Sequence, residues 1–110
     1  MSHVTKVETE FRDGQALETA LKQVFGGCES NATMIAYYSS QNQHVDLVVR
    51  KATARNVLES SMADIGFKKV GDRYELIADE MQMPYMAKAL DRLKQRYAVG
   101  VASKAAQATG

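Results

Sequence analysis

The chain has 110 residues, with 14 Lys and Arg against 13 Asp and Glu, which gives a formal net charge of +1. This length argues against two ordinary domains, and a hydrophobic content of 45% argues against a chain that is disordered throughout. The single Cys excludes an internal disulfide and a cysteine-based zinc site. A net charge near zero also gives no general attraction to nucleic acid or to acidic membranes.

The N-terminal part of the chain predicts a strand followed by a helix. β-Branched residues favour a strand over residues 3–9. Apolar residues spaced along one helical face predict a helix over residues 14–25. Asp13 precedes this helix as a candidate N-cap, and Gly26 follows it as a candidate C-cap. No apolar segment in this region is typical of a secretory signal.

A hairpin is predicted in the middle of the chain. The polar segment 28–33 is expected to be a loop, and the apolar run 34–39 has the length of a strand. Alternation over residues 44–50 predicts the second strand of the hairpin, with three residues on its buried face: Val45, Leu47 and Val49.

The next segment is ambiguous, and a clear hairpin follows it. Residues 52–62 fit a short helix capped by Thr53, but they fit a loop almost as well. Residues 64–79 alternate on both sides of a turn at Gly71 and Asp72, two residue types that tolerate a positive φ. This pattern predicts a β-hairpin, with Asp64 as a flanking residue of its first strand.

The C-terminal part of the chain predicts a long helix. Pro84 suits a first helical turn, and an apolar stripe continues to about residue 101. Gly100 lies on that stripe and is expected to permit a close backbone approach. Residues 102–110 have little to bury, so we expect this tail to fray.

Together these elements predict an α+β fold. Tight turns between strands imply a mainly antiparallel sheet of about five strands, in the order β-α-β-β-β-β-α. Two amphipathic helices, including the long C-terminal one, each need to bury a face. We therefore expect a two-layer sandwich with both helices on one face of the sheet, forming a single domain over residues 1–110.

Three segments of the chain together resemble one family. They are MSHVTKVETEFRDGQALETALKQVF at the start, DIGFKKVGDRYELIAD in the second hairpin and LDRLKQRYAVGVASKAAQATG at the end. In order and spacing they resemble the hypothetical chloroplast reading frame thirty-five family, a small domain of unknown function from algal plastids, cyanobacteria and other bacteria.

The resemblance implies an accessory protein of the cytoplasm, or of the plastid stroma if it is plastid-encoded. It implies an AAA+ ATPase or a photosynthesis-related protein as the partner. It implies no reaction and no cofactor, because it brings no catalytic residues that could be carried over to this chain.

Candidate catalytic and metal-binding residues are few. His3, Asp79 and Glu80 are weak site candidates, since His3 could act as a base if it met a carboxylate. Adjacent carboxylates can bind a cation, but favouring the start of the following helix suits Asp79 and Glu80 better. His44 and Asp46 would supply only two metal ligands, so a structural or exposed role is favoured for them, and we predict no metal site.

Motifs of nucleotide and nucleophile chemistry are also missing. Gly26 and Gly27 follow a helix rather than precede one, which is typical of a C-cap and not of a phosphate loop. Cys28 has no evident cation to lower its pKa, so we interpret it as an incidental thiol. The sequence therefore predicts a protein that is not an enzyme and binds no cofactor.

Two features around the last helix favour protein binding. A cluster of Met and Tyr before the helix exceeds what a short connection needs to bury, and it includes Met81, Met83 and Tyr85. A basic stripe on the helix, formed by Lys88, Arg92 and Arg96, could steer an acidic partner, although a solvated helix face is also typical of such charges.

The leading prediction is a non-catalytic accessory or protein-interaction domain. The alternative is a homo-oligomer whose long helix and strand edge form the interface. A small enzyme or an RNA-binding module is a weaker prediction. In the predicted strand, Tyr37 and Tyr38 would point to opposite faces, so only one ring could join an RNA-binding platform.

Overall fold

A computed structural model of the chain describes residues 3–109, so Met1, Ser2 and Gly110 lie outside the described residues. The elements follow the predicted order: β1 (Val4–Glu8), α1 (Gly14–Phe25), β2 (Glu29–Met34), β3 (Gln43–Val49), α2 (Lys51–Ala54), β4 (Ile65–Val70), β5 (Arg73–Asp79) and α3 (Ala87–Thr109). Two 3-10 turns, Ser39–Gln41 and Met83–Tyr85, complete the fold.

The strands form one antiparallel sheet in the order β1-β5-β4-β3-β2. The predicted α+β class, the five strands and the long C-terminal helix are confirmed. The first strand of the chain thus lies at one edge of the sheet, beside the last. The hairpin over residues 64–79 is also confirmed, with Gly71 in its turn at a φ of 66°.

Helix α1 has the predicted bounds because its ends carry strong signals. The carboxylate of Asp13 accepts a hydrogen bond from the Ala16 backbone N–H at 3.1 Å, and Gly26 ends the helix with a φ of 97°. Leu17 and Leu21 are fully buried against the sheet. Burial of one such side chain stabilises the fold by about 1.5–3 kcal/mol.

Helix α3 packs beside α1 and completes the main core. Its Tyr97 hydroxyl accepts hydrogen bonds from the backbone N–H groups of Arg12 and Asp13, both at 2.9 Å. Residues 102–109 continue the helix, and those through residue 108 are exposed. The large side chains between the helices and the sheet include Phe11, Leu17, Leu21, Phe25, Phe67, Tyr74, Leu76, Met86 and Leu93.

The prediction for residues 28–39 is wrong. Most of the expected loop at 28–33 is strand β2, whereas the expected strand at 34–39 leaves the sheet after Met34. β2 is an edge strand, and most of its side chains, from Glu29 to Thr33, are exposed. Its pairing is made by backbone groups, so no hydrophobic alternation marks it in the sequence.

The β2–β3 hairpin changes face part-way along its length. Its pairing skips the position where Asn31, at a φ of 50°, would face Asp46. Leu47 packs in the main core on the helix side, whereas Val45 packs with Val48 on the opposite side. The predicted common face of Val45, Leu47 and Val49 is therefore wrong at Val45, because this irregularity breaks the alternation.

The end of this hairpin covers the second face of the sheet. A Cβ placed on Gly66 of β4 would lie 2.7 Å from Met34 Sδ and 2.9 Å from Val45 Cγ1. Farther along, the Gln41 side chain accepts a hydrogen bond from the backbone N–H of Val4, on the far edge of the sheet, at 3.0 Å. The hairpin end thus lies over the sheet and buries Ile77 beneath it.

A buried carboxylate links this hairpin to the rest of the chain. Asp64 is 3% exposed, and it accepts hydrogen bonds from Ile35 N, Lys51 N and Arg50 Nη1, each at 2.8 Å. Arg50 also binds the carboxylate of Glu29 at 2.8 Å and lowers its pKa through that hydrogen bond. Asp64 is therefore more than the flanking residue that was predicted.

The ambiguous segment 52–62 is partly helix and mostly loop. Its helix is the single turn α2, which is preceded by Arg50 and not by the predicted cap Thr53. Ala54 and Leu58 anchor the segment in the main core.

Candidate protein-interaction surface

The Met81–Tyr85 turn between β5 and α3 is fixed by Asp79. The carboxylate of Asp79 accepts a hydrogen bond from Met81 N, and its carbonyl accepts one from Gln82 N, both at 2.9 Å. Asp79 thus binds N–H groups of the turn that leads into α3. Pro84 fixes φ within the turn.

The turn divides its apolar side chains between the core and the surface. Met81 is 53% exposed and Tyr85 is 50% exposed. Met83 is half-buried and packs against the main core, next to the fully buried Met86. Of the three residues predicted for apolar contact, Met81 and Tyr85 therefore face outward, whereas Met83 serves mainly the core.

A small groove of about 160 Å³ lies between Met81 and Tyr85, with Gln82 among its lining residues. Gln82 is 3% exposed, and its Nε2 donates to Ser61 Oγ at 3.2 Å. The Ser61 hydroxyl donates to the carbonyl of Ala63 at 3.2 Å, so its oxygen is left to accept, which fixes the orientation of the Gln82 amide.

This orientation leaves Gln82 Oε1 buried without a hydrogen-bond partner among residues 3–109. A buried amide oxygen without a donor costs about 1–3 kcal/mol.

Tyr85 also lines a second groove, of about 510 Å³. Lys88 and Arg92 of α3 line it together with Glu59, and all three are exposed. Within residues 3–109, neither Lys88 nor Arg92 lies within 4 Å of a carboxylate oxygen. We call the continuous region formed by Met81, Gln82, Tyr85, Lys88 and Arg92 the turn surface.

Arg96 does not belong to the turn surface. It lines a separate groove between α1 and α3, together with Gln15, Val99 and Lys104. Because an α-helix advances about 100° per residue, positions eight residues apart differ by about 80° around its axis. The predicted basic stripe is thus divided between two grooves.

The weak site candidates lie close together where β1 pairs with β5. The His3 carbonyl accepts a hydrogen bond from Glu80 N at 2.7 Å, and Asp79 pairs with Val4. The side chains differ in environment, because His3 and Glu80 are exposed whereas Asp79 is buried. None of the three lines the four grooves that the structure forms around α3 and the turn.

His44 and Asp46, the other candidate metal ligands, do not form a metal site with further ligands among residues 3–109. Asp46 accepts a hydrogen bond from Lys69 N at 2.6 Å, at the irregular point of β3, and His44 is exposed. Over residues 3–109, no group of three or more His, Cys, Asp or Glu is placed to hold a metal ion. Cys28 is half-buried, and burial raises the pKa of its thiol.

The prediction for the two tyrosines is wrong. Tyr37 and Tyr38 lie outside any strand, and their side chains are 52% and 42% exposed. Their rings contact each other edge to face, with centroids 5.0 Å apart. Both rings are exposed because the chain leaves the sheet after Met34, so strand alternation does not apply to them.

Comparison with known proteins places the chain in a family. A family model described as a protein of unknown function, DUF1257, matches residues 20–110. The uncharacterized protein ycf35 of Cyanophora paradoxa is 33% identical over 101 residues, which cover 89% of this chain and 73% of the relative. The chain belongs to the ycf35 family. The ycf35 protein of Pyropia yezoensis is 29% identical over 101 residues, which again cover 89% of this chain and 73% of the relative.

These matches confirm the resemblance and extend it. The match to the DUF1257 family model includes residues 28–63, which lie outside the three segments that carry the resemblance. No solved structure matches the chain significantly. Among residues 3–109, no helix combines the length and the apolar character that crossing a membrane requires.

Two features of the turn surface have no signal in the sequence. The free oxygen of Gln82 depends on Ser61, which lies 21 residues earlier in the chain. The groove beside Tyr85 depends on Glu59, which comes from the segment whose structure was ambiguous. Sequence patterns locate the exposed Met and Tyr, but they do not show what lies beneath and beside them.

Proposed function

We propose that this ycf35-family protein is a non-catalytic accessory domain that binds a partner protein through the turn surface. One observation carries the proposal. Met81 and Tyr85 are half exposed on a fixed turn, and between them lies a groove whose buried Gln82 oxygen has no donor among residues 3–109. Exposed apolar groups that lie together on a rigid segment are typical of a surface that another protein covers.

The chemistry of the surface specifies what the partner presents. An apolar side chain of the partner fits the groove between Met81 and Tyr85. Lys88 and Arg92 contribute two positive charges against the single negative charge of Glu59. The partner segment is therefore amphipathic and acidic, and these charges steer its approach.

The family resemblance supplies the candidates for this partner. An AAA+ ATPase or a photosynthesis-related protein, met in the cytoplasm or in the plastid stroma, would provide the acidic segment. The non-catalytic part of the proposal is supported by His3, Asp79 and Glu80, because none of them lines any of the four grooves named above.

Affinity purification from cells of the source organism tests the proposal with matched charge reversals. Lys88→Glu combined with Arg92→Glu should abolish recovery of the acidic partner that the wild-type protein retains. Arg96→Glu makes the same kind of change on the same helix but in a different groove, so it should leave recovery unchanged. Equal recovery with all variants would remove the turn surface as the binding site.

A further inference from the structure

We propose that the β1 edge of the sheet is an interface between two copies of this chain. β1 ends the strand order, so its outer side pairs with no strand of residues 3–109. The His3 carbonyl points toward β5, where it accepts from Glu80 N, whereas Val4 N–H donates to the Gln41 side chain. Because successive residues alternate in direction, the backbone groups of Lys6 and Glu8 point away from β5.

This edge carries the groups that strand pairing uses. An exposed strand edge is a template for another chain, and proteins often guard such an edge with charged residues. Lys6 and Glu8 are exposed, and Val7 between them is 38% exposed. Lys6 and Glu8 have opposite charges. In a register that places Lys6 of one copy opposite Glu8 of the other, the two residues therefore attract each other.

The symmetric registers differ sharply in their charge pairing. Two antiparallel copies of β1 must be related by a two-fold axis through one residue. An axis through Lys6 or Glu8 places like charges opposite each other. With an axis through Thr5, the N–H of Val4 would have to donate to the partner strand, but it already donates to the Gln41 side chain.

An axis through Val7 places Lys6 opposite Glu8 of the partner subunit, and this contact occurs twice by symmetry. In this register the outward backbone groups of Lys6 and Glu8 also face each other, so both residues exchange N–H···O=C bonds across the interface. Opposite charges directly across a strand pair are favourable. The charges and the backbone thus select the same register.

The helix side of the sheet supports this register. Val7 pairs with the main-core residue Leu76, so its side chain is on the side of α3. There it lines a groove of about 620 Å³ together with the half-buried Leu90 and Tyr97. In the dimer, Val7 meets the partner's Val7 at the mouth of this groove, and the two grooves become continuous.

Sedimentation velocity over a concentration range up to high micromolar tests the interface with a charge swap. The wild-type protein should form a dimer, and Lys6→Glu or Glu8→Lys alone should weaken it about tenfold, since each creates two like-charge contacts. The double variant Lys6→Glu/Glu8→Lys restores opposite pairing and should restore the dimer. A wild-type protein that stays monomeric, or a double variant no better than the single ones, would overturn the proposal.

Arg92→Glu, which changes the turn surface, should leave the dimer unaffected, so this test is independent of partner binding. Hydrogen exchange gives a second measurement. The amides of Lys6 and Glu8 should exchange more slowly as the concentration rises, whereas the amide of Val4, already bound to Gln41, should change little. Exchange rates at Lys6 and Glu8 that do not depend on concentration would exclude pairing through this edge.

Discussion

Asp64 shows how one residue holds a distant part of the chain. Its carboxylate accepts from the chain after β2, from the start of α2 and from the Arg50 guanidinium. The sequence offers one signal for this cluster, because Arg50 and Asp64 are opposite charges on either side of an irregular segment. That signal does not predict the contact with Ile35, since the contact depends on the fold-back of the β2–β3 hairpin.

Removing this carboxylate should strongly destabilise the protein. Asp64→Ala leaves two backbone N–H groups without their acceptor, whereas the Arg50 guanidinium keeps Glu29 and the Thr33 carbonyl. We expect a loss of about 1–3 kcal/mol in the free energy of unfolding for each N–H group. Asp72→Ala is the matched control, because the Asp72 side chain is 77% exposed in a turn, and it should stay within about 0.5 kcal/mol. Urea denaturation measures both, and equal stabilities would contradict the role given to Asp64.

Asp13 gives a pH-dependent prediction. The side-chain hydrogen bond from Lys104, at 2.9 Å, lowers the pKa of Asp13 below its ordinary value of 3.8, and the N-cap bond to Ala16 adds to this. A lowered pKa stabilises the folded state above the unfolded-state pKa, and that contribution is lost as the pH falls through the folded-state pKa.

Asp13→Asn keeps a good N-cap but removes the charge. We expect it to cost up to about 1 kcal/mol near neutral pH, because Lys104 is largely exposed. Thermal unfolding of both proteins from neutral pH down to below 3.8 should show the difference shrinking toward zero in acid. A difference that grows as the pH falls would contradict the assigned ion pair.

At the scale of the elements, the sequence predicts the helices and strands that have a regular hydrophobic period and residues that mark their ends. Helix α1 has an apolar face, an Asp cap and a glycine stop, and the β4–β5 hairpin alternates around a glycine turn. Strand β2 has none of these signals, because its pairing uses the backbone and its side chains are mostly exposed. The sequence also does not predict that Val45 and Leu47 of β3 lie on opposite faces of the sheet, since this depends on the left-handed φ of Asn31.

Two glycines should respond in opposite ways to an added methyl group. A Cβ on Gly100 of α3 would meet Ala16 Cβ at 3.6 Å, an ordinary contact, so the predicted close approach does not require glycine. Gly100→Ala should therefore stabilise the protein by about 0.5–1 kcal/mol through helix propensity. Gly66→Ala would collide with Met34 and Val45 and should cost about 1–3 kcal/mol.

Thermal and urea unfolding of these two variants test the layer arrangement. If Gly66→Ala were neutral, the β2–β3 hairpin end would not cover the sheet in solution. If Gly100→Ala were destabilising, α1 and α3 would lie closer together than the structure shows.

At the scale of the whole molecule, both faces of the sheet are covered. The helices bury one face, and the end of the β2–β3 hairpin buries the other. Exposed apolar side chains outside these layers include the tyrosine pair after β2, Val7 on the β1 edge, Val70 in the β4–β5 hairpin, Val99 on α3 and the turn surface. Among residues 3–109, only the turn surface combines exposed apolar groups, a buried acceptor without a donor and excess positive charge, and this combination makes it the proposed binding site.

Site-specific photo-crosslinking tests that central claim most directly. A photoreactive residue at Tyr85, in cells of the source organism, should give a covalent adduct with one acidic partner protein. Adding Lys88→Glu and Arg92→Glu should abolish this adduct, and adding Arg96→Glu should not. The same photoreactive residue at Val70, which is 51% exposed against 50% for Tyr85, should give no such adduct. Equal adducts at Tyr85 and Val70, or an adduct that survives reversal of Lys88 and Arg92, would contradict the account.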